Sequence, residues 1–263
     1  MKDLHIHIGR SEGKRLAEPF DRSLRVILEN YARLGITELR DGGDDLSLGL
    51  IARELSPEYG ISFTTPVVAL SRSGGYGAFL GRGAGSAADI AGIISALLKK
   101  QPDFIKIIQS GICSFDTFGE VTDGGFEREL YTEIAAAACG NGLKIMVHVN
   151  GGDNIMRALE WGADSIEHGY YITERELRVM AGLGTIWVPT LAPLVNYLAH
   201  CEPSDRQAGV LAEIIGGHEA AIKSALALGV KVEIGSDSGA MYVGHGQGTL
   251  DEIQCLQRAG MEI

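Results

Sequence analysis

The sequence lacks an excess of basic residues. It contains 23 Lys and Arg against 34 Asp and Glu, which gives a formal net charge of -11. A protein that binds a polyanion needs a basic surface to neutralise phosphate groups. The composition therefore argues against nucleic acid as a partner.

Cysteine pairs and long apolar runs are also missing. The cysteines Cys113, Cys139, Cys201 and Cys255 lie far apart without a C-x-x-C pair, and the chain begins Met1-Lys2-Asp3 instead of with an apolar signal segment. These features predict free thiols and a cytoplasmic protein. No apolar run approaches the roughly 20 residues needed to span a bilayer, so no membrane association is expected.

The sequence also lacks the glycine-rich motifs that bind nucleotide phosphates. No G-x-G-x-x-G follows the first β-branched run, and the glycine-rich stretch Ser71–Ser86 has no phosphate-loop lysine. What the chain does contain is about eight alternations of a short β-branched run with a longer amphipathic segment. This pattern predicts an α/β fold with a parallel sheet, either open or closed as a (β/α)8 TIM barrel. Polar residues at the strand ends favour the barrel.

The predicted elements follow from this alternation. The strand candidates are Leu4–Ile8, Ile36–Arg40, Ile61–Leu70, Phe104–Gln109, Lys144–Val149, Ser165–His168, Thr185–Leu191 and Val230–Gly235. The helix candidates are Asp21–Leu34, Leu46–Leu55, Ala87–Lys100, Phe126–Asn141, Asn154–Trp161, Thr173–Gly182, Asp205–Leu228 and Thr249–Ala259. We expect residues 1–263 to form a single barrel domain.

The opening stretch "DLHIHI" carries two histidines in a strand-like run. Successive side chains of a strand face opposite sides, so His5 and His7 share one face while Ile6 and Ile8 share the other. Paired imidazoles inside a barrel are natural ligands for Zn²⁺ or a similar ion. Taken alone, the pair fits ordinary core packing equally well.

Later strand ends carry further ligand types. His148 lies near the end of the predicted strand in "KIMVHVNG", and His168 lies at the end of the next one in "SIEHG". Asp237 follows the last predicted strand, in "VEIGSDSG". The carboxyl ends of barrel strands meet on one face, where active sites of this fold lie. These residues therefore predict a metal centre together with the two N-terminal histidines.

Lys106 in "DFIKIIQSG" is expected to face the same interior, because Ile105 and Ile107 face the other side. A buried ammonium is unfavourable. Reaction with CO₂ would convert the amine to an anionic carbamate, whose two oxygens can bridge two metal ions. The alternatives are that Lys106 extends to solvent or pairs with an acid.

These six positions resemble the metal ligands of the amidohydrolase superfamily. The stretches "DFIKIIQSG", "KIMVHVNGG", "GADSIEHG" and "GVKVEIGSDSG" are most similar to its branch of prolidases, Zn-dependent carboxypeptidases and imidazolonepropionase-like enzymes. The resemblance implies that His5, His7 and Asp237 hold one metal, that His148 and His168 hold the other, and that carboxylated Lys106 bridges them. Zn²⁺ is the expected ion, although such ligands also accept Mn²⁺, Fe²⁺ or Co²⁺.

Two departures from that branch are visible. Its members usually add a small β-sandwich from residues before and after the barrel, for which this sequence leaves little chain. A naturally minimal barrel and a truncated sequence both fit this observation. In addition, Tyr76 stands where the resembling enzymes often have a histidine, which affects the expected substrate contacts but not the metal ligands.

The implied reaction is hydrolysis of an amide-type C–N bond in a small molecule: a dipeptide, an N-acyl amino acid or a cyclic amide. A hydroxide that bridges the metals would attack the carbonyl, with Asp237 as general base. Candidate substrate contacts are Tyr170, His245, Arg40 and Tyr76, whereas His200 and His218 are predicted on the surface.

Two alternative functions stay open. A mononuclear deaminase on the same scaffold would leave Lys106 unmodified. A catalytically inactive, metal-binding barrel would keep the ligands without turnover. The sequence also leaves homo-oligomer formation open.

Overall fold

The computed structural model describes residues 1–122 and 124–263. Its strands are β1 (Lys2–Ile6), β2 (Arg10–Ser11), β3 (Lys14–Arg15), β4 (Glu38–Asp41), β5 (Ser62–Thr64), β6 (Ala69–Arg72), β7 (Gly81–Ala84), β8 (Phe104–Ile108), β9 (Lys144–Val149), β10 (Ser165–His168), β11 (Ile186–Val188) and β12 (Lys231–Val232). Its α-helices are α1 (Phe20–Arg33), α2 (Leu48–Leu55), α3 (Ala87–Leu98), α4 (Arg128–Gly140), α5 (Gly152–Glu160), α6 (Glu174–Leu183), α7 (Ala192–His200), α8 (Asp205–Ala227) and α9 (Gln247–Arg258). Short 3-10 helices cover Ser56–Tyr59 and Ala78–Leu80.

The parallel strands form two ladders. One has the order β1-β4-β5 and the other the order β12-β11-β10-β9-β8-β6-β7. Backbone hydrogen bonds outside these ladders join β1 to the segment after β12: the Leu4 amide donates to the Ile234 carbonyl at 2.8 Å, and the Asp237 amide donates to the His5 carbonyl at 2.7 Å. The chain is a (β/α)8 barrel, as predicted, although the ladders themselves are not continuous around it.

The third barrel strand is divided into β5 and β6. The predicted strand Ile61–Leu70 contains Pro66, which has no amide hydrogen to donate to a ladder. Val67 follows with a φ of 72°, a left-handed conformation. The first part therefore pairs with β4 and the second with β8.

Alternation along β1 places the histidines inside the barrel. Ile6 and Ile8 are fully buried in a cluster with Leu24 and Leu28 of α1. Because the apolar side chains pack beneath the helix, His5 and His7 face the interior. This confirms the orientation predicted from the opening stretch.

In the second half of the chain, the sequence analysis missed one helix and placed one histidine wrongly. Helix α7 was not predicted; it carries Pro193 in its first turn, where a missing amide hydrogen does no harm. His218 is only 3% exposed, and its Nε2 donates to the Pro189 carbonyl at 3.1 Å. It therefore belongs to the inner face of α8 and not to the surface. Within residues 1–122 and 124–263, no helix combines the length and apolar character needed to cross a membrane.

Candidate metal centre

The four predicted histidines and Asp237 meet at the carboxyl end of the barrel. The ring centroids of His5 and His168 are 4.9 Å apart, and those of His148 and His168 are 4.5 Å apart. Asp237 Oδ1 lies 3.3 Å from His7 Nε2 and 3.6 Å from His5 Nε2. Ligand atoms of His5, His7 and Asp237 all lie within 4.8 Å of one another. One ion could contact all three residues.

Each imidazole is anchored through one ring nitrogen. His5 Nδ1 donates to Glu167 Oε2 at 2.7 Å, and His7 Nδ1 donates to the Gly43 carbonyl at 3.2 Å. His148 Nε2 donates to the Gly111 carbonyl at 3.2 Å. These acceptors fix the tautomers, since carboxylates and carbonyls cannot donate.

His168 is anchored in the same way by Thr190. Its Nδ1 lies 2.6 Å from Thr190 Oγ1, and that hydroxyl donates in turn to the Pro189 carbonyl at 2.8 Å. The hydroxyl oxygen therefore accepts from His168. The nitrogens left for an ion are Nε2 of His5, His7 and His168 and Nδ1 of His148. Such outer contacts orient the histidine ligands of metal sites.

Burial keeps the histidines in the neutral form that binds metals. It lowers the pKa of both His7 and His148 to about 3, and the nearby Lys106 charge adds to each shift. The pKa values of His5 and His168 fall well below the ordinary value for the same main reason. Metal ions can therefore bind at neutral pH without first displacing protons from these rings.

Lys106 lies inside the barrel, as predicted. Its side chain is 1% exposed, and among the described residues its Nζ finds no hydrogen-bond partner. Burial lowers the pKa of Lys106 to about 8, while the negative charges of Glu167 and Asp237 oppose that shift. The alternatives of solvent contact and direct ion pairing are thus not what the structure shows.

Asp237 differs from an ordinary exposed carboxyl group in its pKa and in its backbone conformation. Burial raises its pKa to about 7, against the opposing charge of Lys106. Its φ is 57°, and His168 at the end of β10 has a φ of 63°. These left-handed conformations interrupt strand alternation and turn both side chains toward the common centre.

The residues present fit the metal ions that the donor set implies. Buried His5 Nε2 and Lys106 Nζ have no hydrogen-bond partner within the described part of the chain, a costly arrangement for polar atoms. Neutral imidazoles together with a carboxylate are ligands that suit Zn²⁺ and similar ions. A metal bound at this centre would give His5 Nε2 a partner.

Glu167 is a supporting residue that the sequence prediction missed. Its carboxylate accepts from His5 Nδ1, from Arg40 at 2.8 Å and from Ser165 Oγ at 2.6 Å. The alternation of side chains in "SIEHG" could have predicted this role, because Glu167 follows Ile166 in the strand and so must face the interior. Asn150 was also missed: its Nδ2 donates to the Gly111 carbonyl at 3.1 Å, beside His148.

A cavity of ≈ 270 Å³ opens over the predicted metal ligands. It is lined by His7, Arg10, Gly13, Tyr76, Phe79, Leu80, Ile112, Cys113, Phe115, His148, Asn150, His168, Tyr170, Pro193, Leu194, Asp237, Ala240 and Met241. Of the four predicted substrate contacts, Tyr76 and Tyr170 lie on this wall. The Tyr170 hydroxyl already donates to the Thr190 carbonyl at 2.7 Å, whereas the Tyr76 ring lies 5.4 Å from that of His148.

The other two predicted substrate contacts have structural partners instead. Arg40 donates to the Leu4 carbonyl at 2.7 Å as well as to Glu167. His245 bridges Tyr31, whose hydroxyl lies 3.0 Å from Nδ1, and the Arg10 carbonyl, which lies 2.7 Å from Nε2. Neither side chain lines the cavity. The structure therefore gives no support for substrate binding by Arg40 or His245.

Comparisons with solved structures support the barrel fold. A Xaa-Pro dipeptidase with bound methionine superposes with a TM-score of 0.80 at 20% identity, covering 99% of this chain and 70% of that one. The ochratoxinase of A. niger has the same TM-score at 19% identity, covering 99% of this chain and 67% of that one. At such identities these likenesses show the fold.

Curated relatives in sequence are uncharacterized proteins of Mycobacterium bovis and Mycobacterium tuberculosis. They are 31% identical over 127 residues, which is 47% of this chain and 34% of theirs. The matched region is thus about a third of the relatives' length. The Amidohydrolase family matches residues 2–258, nearly the whole sequence. The chain therefore belongs to the Amidohydrolase family.

Proposed function

We propose that the protein is a metal-dependent hydrolase that cleaves an amide-type C–N bond at a dinuclear centre. His5, His7 and Asp237 would hold one ion, and His148 and His168 the other. The observation that carries the proposal is the arrangement of four neutral, individually anchored imidazoles around a carboxylate and a buried lysine. A structural core does not need four fixed tautomers that direct ring nitrogens to one place.

Lys106 would bridge the two ions as a carbamate. The neutral amine attacks the carbon of CO₂, an N–C bond forms, and one proton leaves to solvent. The pKa of Lys106, lowered to about 8 by burial, makes that neutral amine accessible near neutral pH. The carbamate would replace a buried ammonium that has no partner, and its negative charge would be balanced by the positive ions.

Two bound ions would supply a water of lowered pKa and an electrophile for the scissile carbonyl. Asp237 takes the water proton on its carboxylate and passes it to the leaving nitrogen. Burial raises the pKa of Asp237 to about 7 in the metal-free protein, and bound cations would lower it toward the carboxylate form that a general base needs. His5 and His168 stay oriented by Glu167 and Thr190 during this exchange.

The proposed substrates are small amides: dipeptides, N-acyl amino acids or cyclic amides. A cavity of ≈ 270 Å³ is close to the size of a small-molecule site. Likeness to a Xaa-Pro dipeptidase supports the dipeptide class. Among the cavity residues, the Tyr76 ring beside His148 is positioned to contact the substrate.

The test is an assay of these three amide classes with protein loaded with Zn²⁺, Mn²⁺ or Co²⁺. We expect release of the free amine with at least one class, and loss of activity after chelation. Metal content and intact mass are measured on the same samples. Two ions per chain with a mass increase at Lys106 are expected. One ion with an unmodified lysine would favour the mononuclear deaminase, and two ions without turnover would favour the metal-binding barrel.

A further inference from the structure

Arg10 is a cation on the cavity wall that the proposed chemistry does not use. Of the described residues that line the cavity, it is the single lysine or arginine. No carboxylate in the described part of the chain lies within ion-pair distance of its guanidinium, whereas Arg40 is paired with Glu167. Arg10 is thus a positive charge in a binding cavity without a counter-ion.

The surroundings of Arg10 hold it in place. Its amide donates to the His7 carbonyl at 3.0 Å, so its backbone is tied directly to a metal ligand. The guanidinium donates to the Gly13 carbonyl and lies 4.7 Å from the centroid of the Phe79 ring. Stacking on an aromatic ring restricts the planar group while leaving further N–H donors for a ligand.

Arg10 also lies within electrostatic reach of the catalytic centre. Burial is the main cause of the raised pKa of Asp237, and the Arg10 charge acts against it. The same charge opposes the burial-driven rise in the pKa of Tyr76. Because Arg10 and Asp237 line the same cavity, one small molecule can place an anionic group on Arg10 and a scissile bond beside Asp237.

The rest of the cavity wall is largely apolar. Phe79, Ile112 and Met241 line it, although they are 41%, 45% and 48% exposed. Exposed large apolar side chains that gather around one opening indicate a surface for an apolar ligand group. One cation within an apolar wall matches a ligand that carries a single anionic group and an apolar body.

We infer that Arg10 binds the free carboxylate of the substrate, and that the substrates are amides of amino acids with an unblocked carboxylate and an apolar side chain or acyl group. The fork of N–H donors matches a planar carboxylate through two parallel hydrogen bonds. This inference rests on the proposed function, because it assigns the substrate class of the same site.

The experiment compares two probes that differ only at the carboxylate, N-acetyl-L-phenylalanine and N-acetyl-L-phenylalaninol, whose scissile amide is the same. For the metal-loaded enzyme we expect kcat/KM to favour the carboxylate. In Arg10→Met, kcat/KM for the carboxylate should fall by about 10- to 100-fold, chiefly through KM, as expected for a lost hydrogen bond to a charged group. The loss for the alcohol should be much smaller than the loss for the carboxylate, and Arg10→Lys should recover part of the latter.

Arg82→Met is the matched control, because Arg82 is an exposed arginine outside this cavity. It should keep the carboxylate preference. Binding of the two probes to the metal-loaded protein is also measured by calorimetry, independently of turnover. Arg10-dependent binding of the carboxylate without hydrolysis would support the inference and contradict the proposed function. Hydrolysis with equal kcat/KM for both probes, or no binding of the carboxylate, would overturn the inference.

Discussion

At the residue scale, the centre depends on side chains that are fixed by their neighbours. His5 is held by Glu167, and Glu167 is held in turn by Arg40 and Ser165. All the side chains in this hydrogen-bonded series are buried or nearly so, and each one limits the rotation of the next. An imidazole held in this way loses little freedom when an ion binds, which favours tight binding.

Asp237→Asn tests the general base. The amide side chain keeps the shape of Asp237 and can still offer an oxygen to a metal, but it cannot accept the water proton. We expect part of the metal affinity to remain and kcat to fall by about 10²- to 10⁴-fold, the usual contribution of a positioned acid or base. Steady-state kinetics at matched metal occupancy measure this. A kcat close to that of the unmodified enzyme would exclude Asp237 as the base.

Gly42→Ala tests the support of His7. A Cβ at Gly42 would overlap the His7 ring, so the ring must move away from its present position. We expect weaker metal binding by roughly 10-fold or more, in line with displaced outer contacts of metal ligands. Gly182→Ala is the control, since a Cβ there meets nothing within 4 Å. Equal metal affinity in the two variants would contradict a constraint on His7 by Gly42.

The sequence was sufficient to predict which side chains meet at the barrel mouth, because they lie on predicted strands or just after them and their residue types suit one chemistry. Their role as metal ligands stays a prediction. Arg10 was not predicted, because it follows the first strand in a short hairpin whose position relative to the cavity depends on the whole fold. Arg40 and His245 show the converse. Their residue types suit substrate binding, but only three-dimensional contacts reveal that Leu4, Glu167, Tyr31 and the Arg10 carbonyl engage them.

At the element scale, α7 and α9 meet through a buried acid. Glu252 of α9 accepts from the Ala192 amide at 2.7 Å, at the first residue of α7. Free amides at a helix start need acceptors, and Glu252 provides one. Because Thr190 lies just before this turn and contacts His168, the helix junction also supports a predicted metal ligand.

Glu252→Gln should change how stability depends on pH. Burial raises the pKa of Glu252 to about 8 from an ordinary value of 4.5. Between these values the unfolded chain has lost the proton that the folded chain keeps, so the contribution of Glu252 is complete below pH 4.5 and is lost as pH rises through 8. In the metal-free protein, the titration of Glu252 should therefore lower the unfolding free energy by roughly 1 kcal/mol for each pH unit between these values. Glu252→Gln should lack this part of the pH dependence.

Denaturant unfolding at several pH values between 5 and 8 measures this difference. Glu213→Gln on the exposed side of α8 is the control and should keep the original pH dependence. Parallel curves for Glu252→Gln and the unmodified protein would show that Glu252 is already ionised in the folded state.

Regular elements were predictable where hydrophobic patterning was strong. The bounds of β9 and β10 agree with the predicted Lys144–Val149 and Ser165–His168. Strand β12 covers only Lys231–Val232 of the predicted Val230–Gly235. The Glu233 amide still donates to Trp187 of β11, and from Ile234 onward the chain bonds with β1. Such a change of partner depends on distant segments and has no local signal. Helix α7 was missed because Pro193 resembles a loop signal as much as a helix start.

At the scale of the whole molecule, metal binding and folding stability are linked. The predicted ligands come from β1, β8, β9, β10 and the segment after β12, so the unfolded chain presents no comparable site. An ion that binds the folded state alone stabilises it by about 2.7 kcal/mol at a free concentration 100 times its Kd. The barrel and its ions should therefore behave as one cooperative unit.

Chelation should lower the melting temperature, and Zn²⁺ should restore it in a concentration-dependent way. Calorimetric unfolding at several metal concentrations measures the shift. His168→Ala should reduce the shift, because it removes a ligand from the centre. His200→Ala at the exposed end of α7 should leave it unchanged. A melting temperature that is independent of Zn²⁺ would contradict metal binding at the barrel mouth.

Thr190 shows a conflict between durability and activity. A β-branched residue with a φ of 53° is in a conformation that costs of order 1–3 kcal/mol, yet its hydroxyl orients His168. Glycine would relax this backbone and leave His168 without its Nδ1 partner. Relief of the strained backbone and loss of a buried hydrogen bond oppose each other, so selection for activity should retain a hydroxyl residue, threonine or serine, at this position.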